Sequence, residues 1–124
     1  MEITIKQIQE FRPSGCSLIA YDKEGNRLGH AYISLDGDVA TLVDIYVRPD
    51  TKKRTLLPFL NRKATFRNRG IGSKLLQHVI ALCEATNVTA LKGRMEGDIS
   101  RLELWYAKYG FIISGTDITL TFSE

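Results

Sequence analysis

Apolar and polar residues alternate through the first 47 positions, with the period of two that a half-buried β-strand requires. The alternation predicts four strands, at residues 3–8, 17–21, 27–35 and 39–47. Turn-forming residues separate these strands, and Asp36-Gly37-Asp38 is typical of a hairpin turn that tolerates a positive φ. The fourth strand is expected to end before Pro49, because proline has no N–H to donate to a ladder.

The period changes in the second half of the chain. An apolar stripe at helical spacing predicts a helix that begins at Ile71, and its members are Ile71, Leu75, Leu76, Val79, Ile80, Leu82 and Cys83. A strand, a second helix and two closing strands complete the prediction, at residues 88–95, 100–109, 111–114 and 118–122. The chain is therefore expected to fold as one α+β domain over residues 1–124.

The composition is that of an ordinary soluble globular domain, with 44% hydrophobic and 25% charged residues in a chain of 124. No apolar run approaches the roughly 20 residues that span a bilayer. The first residues also lack the charged start and apolar core of a secretory signal. There are two cysteines, Cys16 and Cys83, and Cys83 falls within the predicted helical apolar stripe, which favours buried reduced thiols over a disulfide. These observations predict a cytoplasmic protein with no membrane partner.

The positive charge is concentrated in one segment, residues 51–65. This segment holds five basic residues and no acidic one, namely Lys52, Lys53, Arg54, Arg62 and Lys63. Because the whole chain has a net charge of +3, the remainder carries −2. A local basic patch attracts anionic partners more strongly than a small global excess of charge does, so this segment is a candidate binding surface.

A basic, glycine-containing loop precedes the first helix, with the sequence Arg67-Asn68-Arg69-Gly70-Ile71-Gly72. A helix N-terminus offers unpaired N–H groups and about half a positive charge. Gly70 and Gly72 would let an anion approach the backbone, Arg67 and Arg69 add charge, and Ser73 supplies a hydroxyl. The arrangement favours a phosphate site, although a plain turn that starts a helix uses the same glycines.

Two other phosphate-binding motifs do not fit this loop. A dinucleotide-binding fold needs a third glycine and a ribose-binding acid further along, and neither is present. A Walker-type loop needs a Gly-Lys-Ser/Thr ending, which is also missing.

Two stretches of this sequence resemble the GNAT superfamily of N-acetyltransferases. The first resembles the pyrophosphate motif of that family, and it reads Phe66-Arg67-Asn68-Arg69-Gly70-Ile71-Gly72-Ser73-Lys74-Leu75-Leu76. The second resembles its C-terminal signature, and it reads Tyr106-Ala107-Lys108-Tyr109-Gly110-Phe111. The resemblance implies a mixed, mostly antiparallel central sheet flanked by helices, and acetyl-CoA as co-substrate.

The resemblance also implies where the co-substrate binds. The pyrophosphate would be held by backbone N–H groups, namely those of Arg67, Asn68, Arg69, Gly70, Ile71, Gly72 and Ser73. Strand residues Ile45, Tyr46 and Val47 would run beside the pantetheine arm and pair with it like an added strand. That pairing is physically reasonable, because pantetheine carries two amides that need partners when they are buried.

Two catalytic roles follow from the same resemblance. Tyr106 matches the tyrosine that many GNAT enzymes use as the acid for the leaving thiolate. Asp44 lies on the fourth strand, near where the thioester should fall, and is the candidate base. Other carboxylates remain alternatives, namely Glu96, Asp98 and Glu103. His30 and His78 are weaker candidates, and neither has the paired spacing of a metal site, so no metal is implied.

The sequence departs from the family pattern in three places. The connection at residues 10–16 is too short for the two helices that the family usually places between its first two strands, so an open acceptor cleft is expected. The basic stretch at residues 51–65 is an insertion. Ile99 stands where the C-terminal signature often has asparagine, while Arg101 is a candidate for capping or bridging there.

The leading functional hypothesis is an N-acetyltransferase that acts on an amine of a protein or a small molecule. The alternative is a non-catalytic module on the same fold that binds CoA or nucleic acid, with the basic residues 52–63 as a phosphate-backbone patch. A second copy of the chain is a further candidate partner.

Overall fold

The computed structural model of the protein describes residues 2–49 and 70–122. The basic insertion at 51–65 lies outside the described residues, and so do Arg67, Asn68 and Arg69 of the phosphate loop. The described residues therefore comprise the sheet, two helices, and the half of the phosphate loop that begins at Gly70.

A single sheet of seven strands forms the centre of the described part of the chain, in the order β1-β2-β3-β4-β5-β7-β6. The strands are β1 (Thr4–Ile8), β2 (Gly15–Tyr21), β3 (Arg27–Asp36), β4 (Val39–Val47), β5 (Ala90–Arg94), β6 (Ile112–Ser114) and β7 (Asp117–Thr121). The helices are α1 (Ile71–Ala85) and α2 (Ile99–Lys108). Every neighbouring pair of strands is antiparallel except β4 and β5, which are parallel. The expected α+β fold with a mixed, mostly antiparallel sheet is confirmed.

Helix α1 supplies one wall of the core. Its buried residues are Ile71, Leu75, Leu76, Val79 and Cys83, which are five of the seven positions in the predicted stripe. The other two, Ile80 and Leu82, are half-buried at the edge of the same cluster. The facing side chains come from alternate positions of the sheet, and they include Leu18, Leu28, Ala31, Ile33 and Leu42. No helix in the described residues is long and apolar enough to cross a membrane.

Arg12 closes the short connection between β1 and β2. Its guanidinium donates to the carbonyl oxygens of Gly37 (3.2 Å) and Thr86 (2.8 Å), and it contacts a carboxylate oxygen of Asp38 at 3.4 Å. One side chain thus joins this connection to the β3–β4 hairpin and to the C-terminal end of α1. The connection contains no helix, which agrees with the departure seen in the sequence.

Candidate active site

A cleft opens where β4 and β5 separate. The parallel pairing runs from Val39–Ala90 to Leu42–Gly93, and the described part of β4 beyond Leu42 has no partner on β5. The cleft has a volume of about 480 Å³. Both strands and α2 contribute to its lining, which includes Asp44, Ile45, Met95, Glu96, Leu102 and Tyr106.

A β-bulge at Val43 marks the start of this separation. Tyr32 pairs with Asp44 and Ile33 pairs with Leu42, so Val43 is the extra residue of β4 and has no partner on β3. Leu42 is buried, whereas Val43 is 61% exposed. The bulge changes the direction in which β4 presents its side chains, and it brings Asp44 to the wall of the cleft.

The last residues of β4 have the position that the sequence predicts for a pantetheine-binding strand. Ile45, Tyr46 and Val47 pair with β3 on one side, and in the described structure β5 has already diverged on the other. Backbone N–H and C=O groups on such an edge need partners. An extended ligand that carries amides can therefore add to this edge as a strand would.

The N-terminus of α1 has the electrostatic character of an anion site. Gly70 adopts a left-handed conformation (φ 76°), and its carbonyl accepts the first intrahelical hydrogen bond, from Lys74 N–H at 3.0 Å. The N–H groups of Ile71, Gly72 and Ser73 consequently have no acceptor within the helix. Among the described residues no side chain caps this end, and the first turn contains no acidic residue.

Gly72 has a packing role that the sequence did not indicate. A Cβ atom at this position would lie 3.5 Å from Val47 Cγ2 and 3.7 Å from Trp105 Cζ2. Both are ordinary contact distances, so an alanine would fit here, and only a larger side chain would push the first turn of α1 away from β4 and α2. Sequence reasoning explained Gly72 only by the approach of a phosphate.

Trp105 is a residue of the site that sequence reasoning did not identify. It is half-buried, and its indole Nε1–H donates to Ser73 Oγ at 3.1 Å. The contact joins α2 to the first turn of α1. The sequence signal for a functional role of Trp105 was its position next to Tyr106. Packing explains an aromatic residue at that position equally well.

Tyr106 lies in the aromatic end of the core and reaches the cleft. It is 4% exposed, and its ring meets that of Phe111 edge-on with 5.3 Å between centroids. Burial, and secondarily the negative charge of Asp44, raise the pKa of the Tyr106 phenol to about 12. The phenol is therefore protonated at neutral pH, as a proton donor must be.

Asp44 faces the same cleft and is held by a histidine. His30 Nε2 lies 2.8 Å from Asp44 Oδ2, and the two side chains are 15% and 52% exposed respectively. His30 itself does not line the cleft. The sequence ranked His30 low as a base and did not predict its contact with Asp44.

The other predicted carboxylates occupy different positions. Glu96 lines the cleft, whereas Asp98 is the N-cap of α2, where its side chain accepts the N–H of Arg101 at 3.4 Å. Glu103 is exposed and does not line the cleft. His78 is exposed on α1. Within the residues that the structure describes, no group of three His, Cys, Asp or Glu side chains could hold a metal ion.

The fold and the cleft together define the class of protein. It is an α+β protein in which two parallel strands separate beside the N-terminus of a helix. The model of the acetyltransferase (GNAT) family matches residues 2–111. The chain belongs to this family. No curated protein sequence matches the chain at a significant level.

Solved structures share the fold at low sequence identity. The ribosomal-protein-S18-alanine N-acetyltransferase of Escherichia coli superposes with a TM-score of 0.68 and 20% identity, over 87% of this chain and 69% of that one. PaiA N-acetyltransferase of Thermoplasma acidophilum, in complex with coenzyme A, superposes with a TM-score of 0.60 and 16% identity. The match covers 86% of this chain, which spans 60% of that protein. A candidate acetyltransferase from Exiguobacterium sp. 255-15 superposes with a TM-score of 0.64 and 15% identity, over 98% of this chain and 94% of that one.

Proposed function

We propose that the protein is an N-acetyltransferase that moves the acetyl group of acetyl-CoA to an amine of a protein or a small molecule. The observation that carries this proposal is the cleft itself. It brings a buried, protonated phenol on α2 and a carboxylate on β4 to one opening, beside a stretch of β4 that β5 does not pair with in the described residues. Acyl transfer to an amine needs an acid and a base in such a place.

The co-substrate is proposed to bind along β4 and at the N-terminus of α1. Its pyrophosphate would accept the N–H groups of Ile71, Gly72 and Ser73, with Gly70 and the preceding Arg67, Asn68 and Arg69 completing the loop. The pantetheine arm would pair with Ile45, Tyr46 and Val47. A pantetheine arm that runs along β4 from the phosphate site would place the thioester in the cleft, between Asp44 and Tyr106.

Asp44 is the proposed base. An amine like that of lysine, with a pKa of about 10.4, is neutral roughly once in 10³ molecules at pH 7, a cost of about 4–5 kcal/mol. Asp44 takes a proton from the ammonium group, and the nitrogen lone pair then attacks the thioester carbonyl. The nitrogen of the tetrahedral intermediate releases its second proton to water, the C–S bond breaks as the intermediate collapses, and the products are a neutral amide and the CoA thiolate.

Tyr106 is the proposed acid for that thiolate. An ordinary thiol has a pKa of about 8.5, so donation from a phenol with a pKa of about 12 is uphill by about 5 kcal/mol. One of the two causes of the raised pKa is the charge of Asp44, which disappears once Asp44 holds a proton. We infer that Asp44 accepts its proton first and that this makes the Tyr106 phenol a stronger acid. Release of the Asp44 proton to the tyrosinate, directly or through water, resets the site.

The test is transfer of acetyl groups from labelled acetyl-CoA to two sets of acceptors. One set is the proteins of a lysate, and the other is a panel of amines: a peptide with a lysine, peptides with a free α-amine, and a polyamine. Mass spectrometry should detect acceptors to which the wild type has added one acetyl group on an amine. Asp44→Asn and Tyr106→Phe should form much less of this acetylated product.

The alternative function predicts a different result. A non-catalytic module would bind acetyl-CoA and acetylate nothing, and binding to nucleic acid would fall steeply as salt is raised. The basic segment that motivates this alternative lies outside the described residues. The cleft, which is lined by both Asp44 and Tyr106, favours the enzyme. Cytoplasmic location and association of two copies remain predictions, which fractionation and sedimentation would test.

A further inference from the structure

His30 lies next to the proposed base, on the opposite side of the sheet from α1. It alternates along β3 with Ala31, which packs in the core, and its Cα partner on β4 is Tyr46. Nε2 of His30 is 2.8 Å from Oδ2 of Asp44. The imidazole therefore engages one carboxylate oxygen of the residue that faces the cleft.

A neighbouring arginine and Asp44 both favour the tautomer of His30 that carries its proton on Nε2. Arg27 places a guanidinium NH2 group 3.4 Å from His30 Nδ1. Arginine only donates hydrogen bonds, so Nδ1 must present its lone pair. Nε2 then carries the hydrogen and donates it to Asp44.

Two tyrosines fix the orientation of the imidazole ring. The ring of Tyr32 stacks on it with centroids 4.2 Å apart and planes at 10°, and the ring of Tyr46 lies at 5.5 Å. The hydroxyl of Tyr32 is also 3.4 Å from the Arg27 guanidinium. Asp44 is the cross-strand partner of Tyr32, and His30 is the member of this cluster that contacts the carboxylate directly.

We propose that His30 is a positioning residue for acetyl transfer. It donates Nε2–H to Oδ2 of Asp44 and so holds the carboxylate in one orientation, with the second oxygen as the atom that takes the proton from the acceptor amine. The inference rests on the proposed function, because it assumes that Asp44 is the base. Orientation of a catalytic group by a neighbouring hydrogen bond typically affects turnover rather than binding of the co-substrate.

The first experiment observes the ring directly and needs no acceptor. Long-range 1H–15N spectra of the wild type at pH 8 should show His30 with an unprotonated Nδ1 and a protonated Nε2. His78, which is exposed, provides an internal comparison with mixed tautomers. In Asp44→Ala the preference of His30 for one tautomer should weaken. A wild-type ring with its proton on Nδ1 would overturn the inference.

The second experiment measures turnover with the panel amine that is acetylated fastest. His30→Ala should lower kcat about 10-fold and leave the KM for acetyl-CoA unchanged. His30→Gln should recover most of the loss, because the Gln side-chain amide can donate from nearly the same place as Nε2. A glutamine variant as slow as the alanine variant would contradict the proposed hydrogen bond.

The double variant separates this inference from the proposed function. If His30 acts through Asp44, His30→Ala should cost nothing more once Asp44→Ala is present. An equal cost of His30→Ala in both backgrounds would overturn the inference. Full turnover by Asp44→Ala would show instead that the proposed base is wrong. If Asp44→Ala has lost most of its turnover while His30→Ala turns over normally, only the role of His30 is refuted.

Discussion

Trp105 donates its indole N–H to Ser73 Oγ at 3.1 Å, and this bond fastens the helix that carries Tyr106 to the first turn of the helix that is proposed to hold phosphates. The pyrophosphate and the thioester, which lie at opposite ends of the pantetheine arm, would therefore contact elements that are directly joined. A change at the N-terminus of α1 should reach the position of Tyr106 through this contact.

Trp105 should report binding of the co-substrate by its fluorescence. It is the one tryptophan in the sequence, and it lies against Gly72 and Ser73. Addition of acetyl-CoA should change its emission in a saturable way, because negative phosphates would arrive beside the indole. Pantetheine, which lacks the phosphates, is the matched control and should give little change. An equal response to both ligands would place the source of the signal elsewhere.

Gly72→Val should weaken binding of acetyl-CoA by at least about 10-fold, or roughly 1.4 kcal/mol. The added methyl groups would press on Val47 and Trp105 and push the first turn of α1 away from β4. Gly72→Ala is the control, because its Cβ would lie at ordinary contact distances of 3.5 Å or more. Calorimetry on both folded variants provides the measurement, and equal affinity of the valine variant and the wild type would remove the proposed phosphate site.

Tyr106→Phe should reduce turnover on the order of 10²-fold while the affinity for acetyl-CoA changes little. The substitution keeps the ring that packs on Phe111 and deletes only the proton donor. Steady-state kinetics with an acetylated panel amine, together with calorimetry, would check both parts. Unaltered turnover would reduce Tyr106 to a packing residue.

The same variant should change how stability depends on alkaline pH. The pKa of Tyr106 is about 12 in the folded protein, whereas an exposed tyrosine has a pKa of about 10, so the folded state binds the proton more tightly. The resulting stabilisation, on the order of 3 kcal/mol, is complete below pH 10 and is lost as the pH rises toward 12.

Urea unfolding between pH 9 and pH 11 should therefore show a smaller loss of stability in Tyr106→Phe than in the wild type. Cys83 also has a pKa raised by burial to about 12, but it contributes equally to both proteins. Parallel stability curves for the two proteins would contradict the raised pKa of Tyr106.

Arg12→Ala should lower the free energy of unfolding by about 1–3 kcal/mol, because three separate elements lose their shared donor. Arg12→Lys keeps the charge but not the fork of donors, and it should restore only part of the loss. Urea denaturation would measure both values. A lysine variant as stable as the wild type would mean that charge alone matters at this position.

The sequence was sufficient for the elements and for the local motifs. Periodicity placed every described strand, the second helix and the start of the first helix within two residues of their observed positions, because each element buries one face. Gly70 was also identified correctly as part of the loop that begins α1, because a glycine with positive φ and a following apolar stripe are both local signals.

Contacts between distant positions could not be predicted in the same way. The hydrogen bond between His30 and Asp44 depends on the register of β3 and β4, which the bulge at Val43 shifts by one residue. The bond between Trp105 and Ser73 depends on how α2 packs on α1, and a tryptophan beside apolar neighbours is equally well explained as core. Neither signal is present in the spacing of residues along the chain.

The early end of the β4–β5 ladder has a consequence for product release. A co-substrate held by its backbone-like amides along β4 offers the same amides before and after it loses its acetyl group. The strand edge therefore cannot distinguish the spent carrier from the loaded one. Coenzyme A should accumulate as a competitive inhibitor against acetyl-CoA, and the rate in a cell should follow the ratio of the two forms rather than the amount of acetyl-CoA alone.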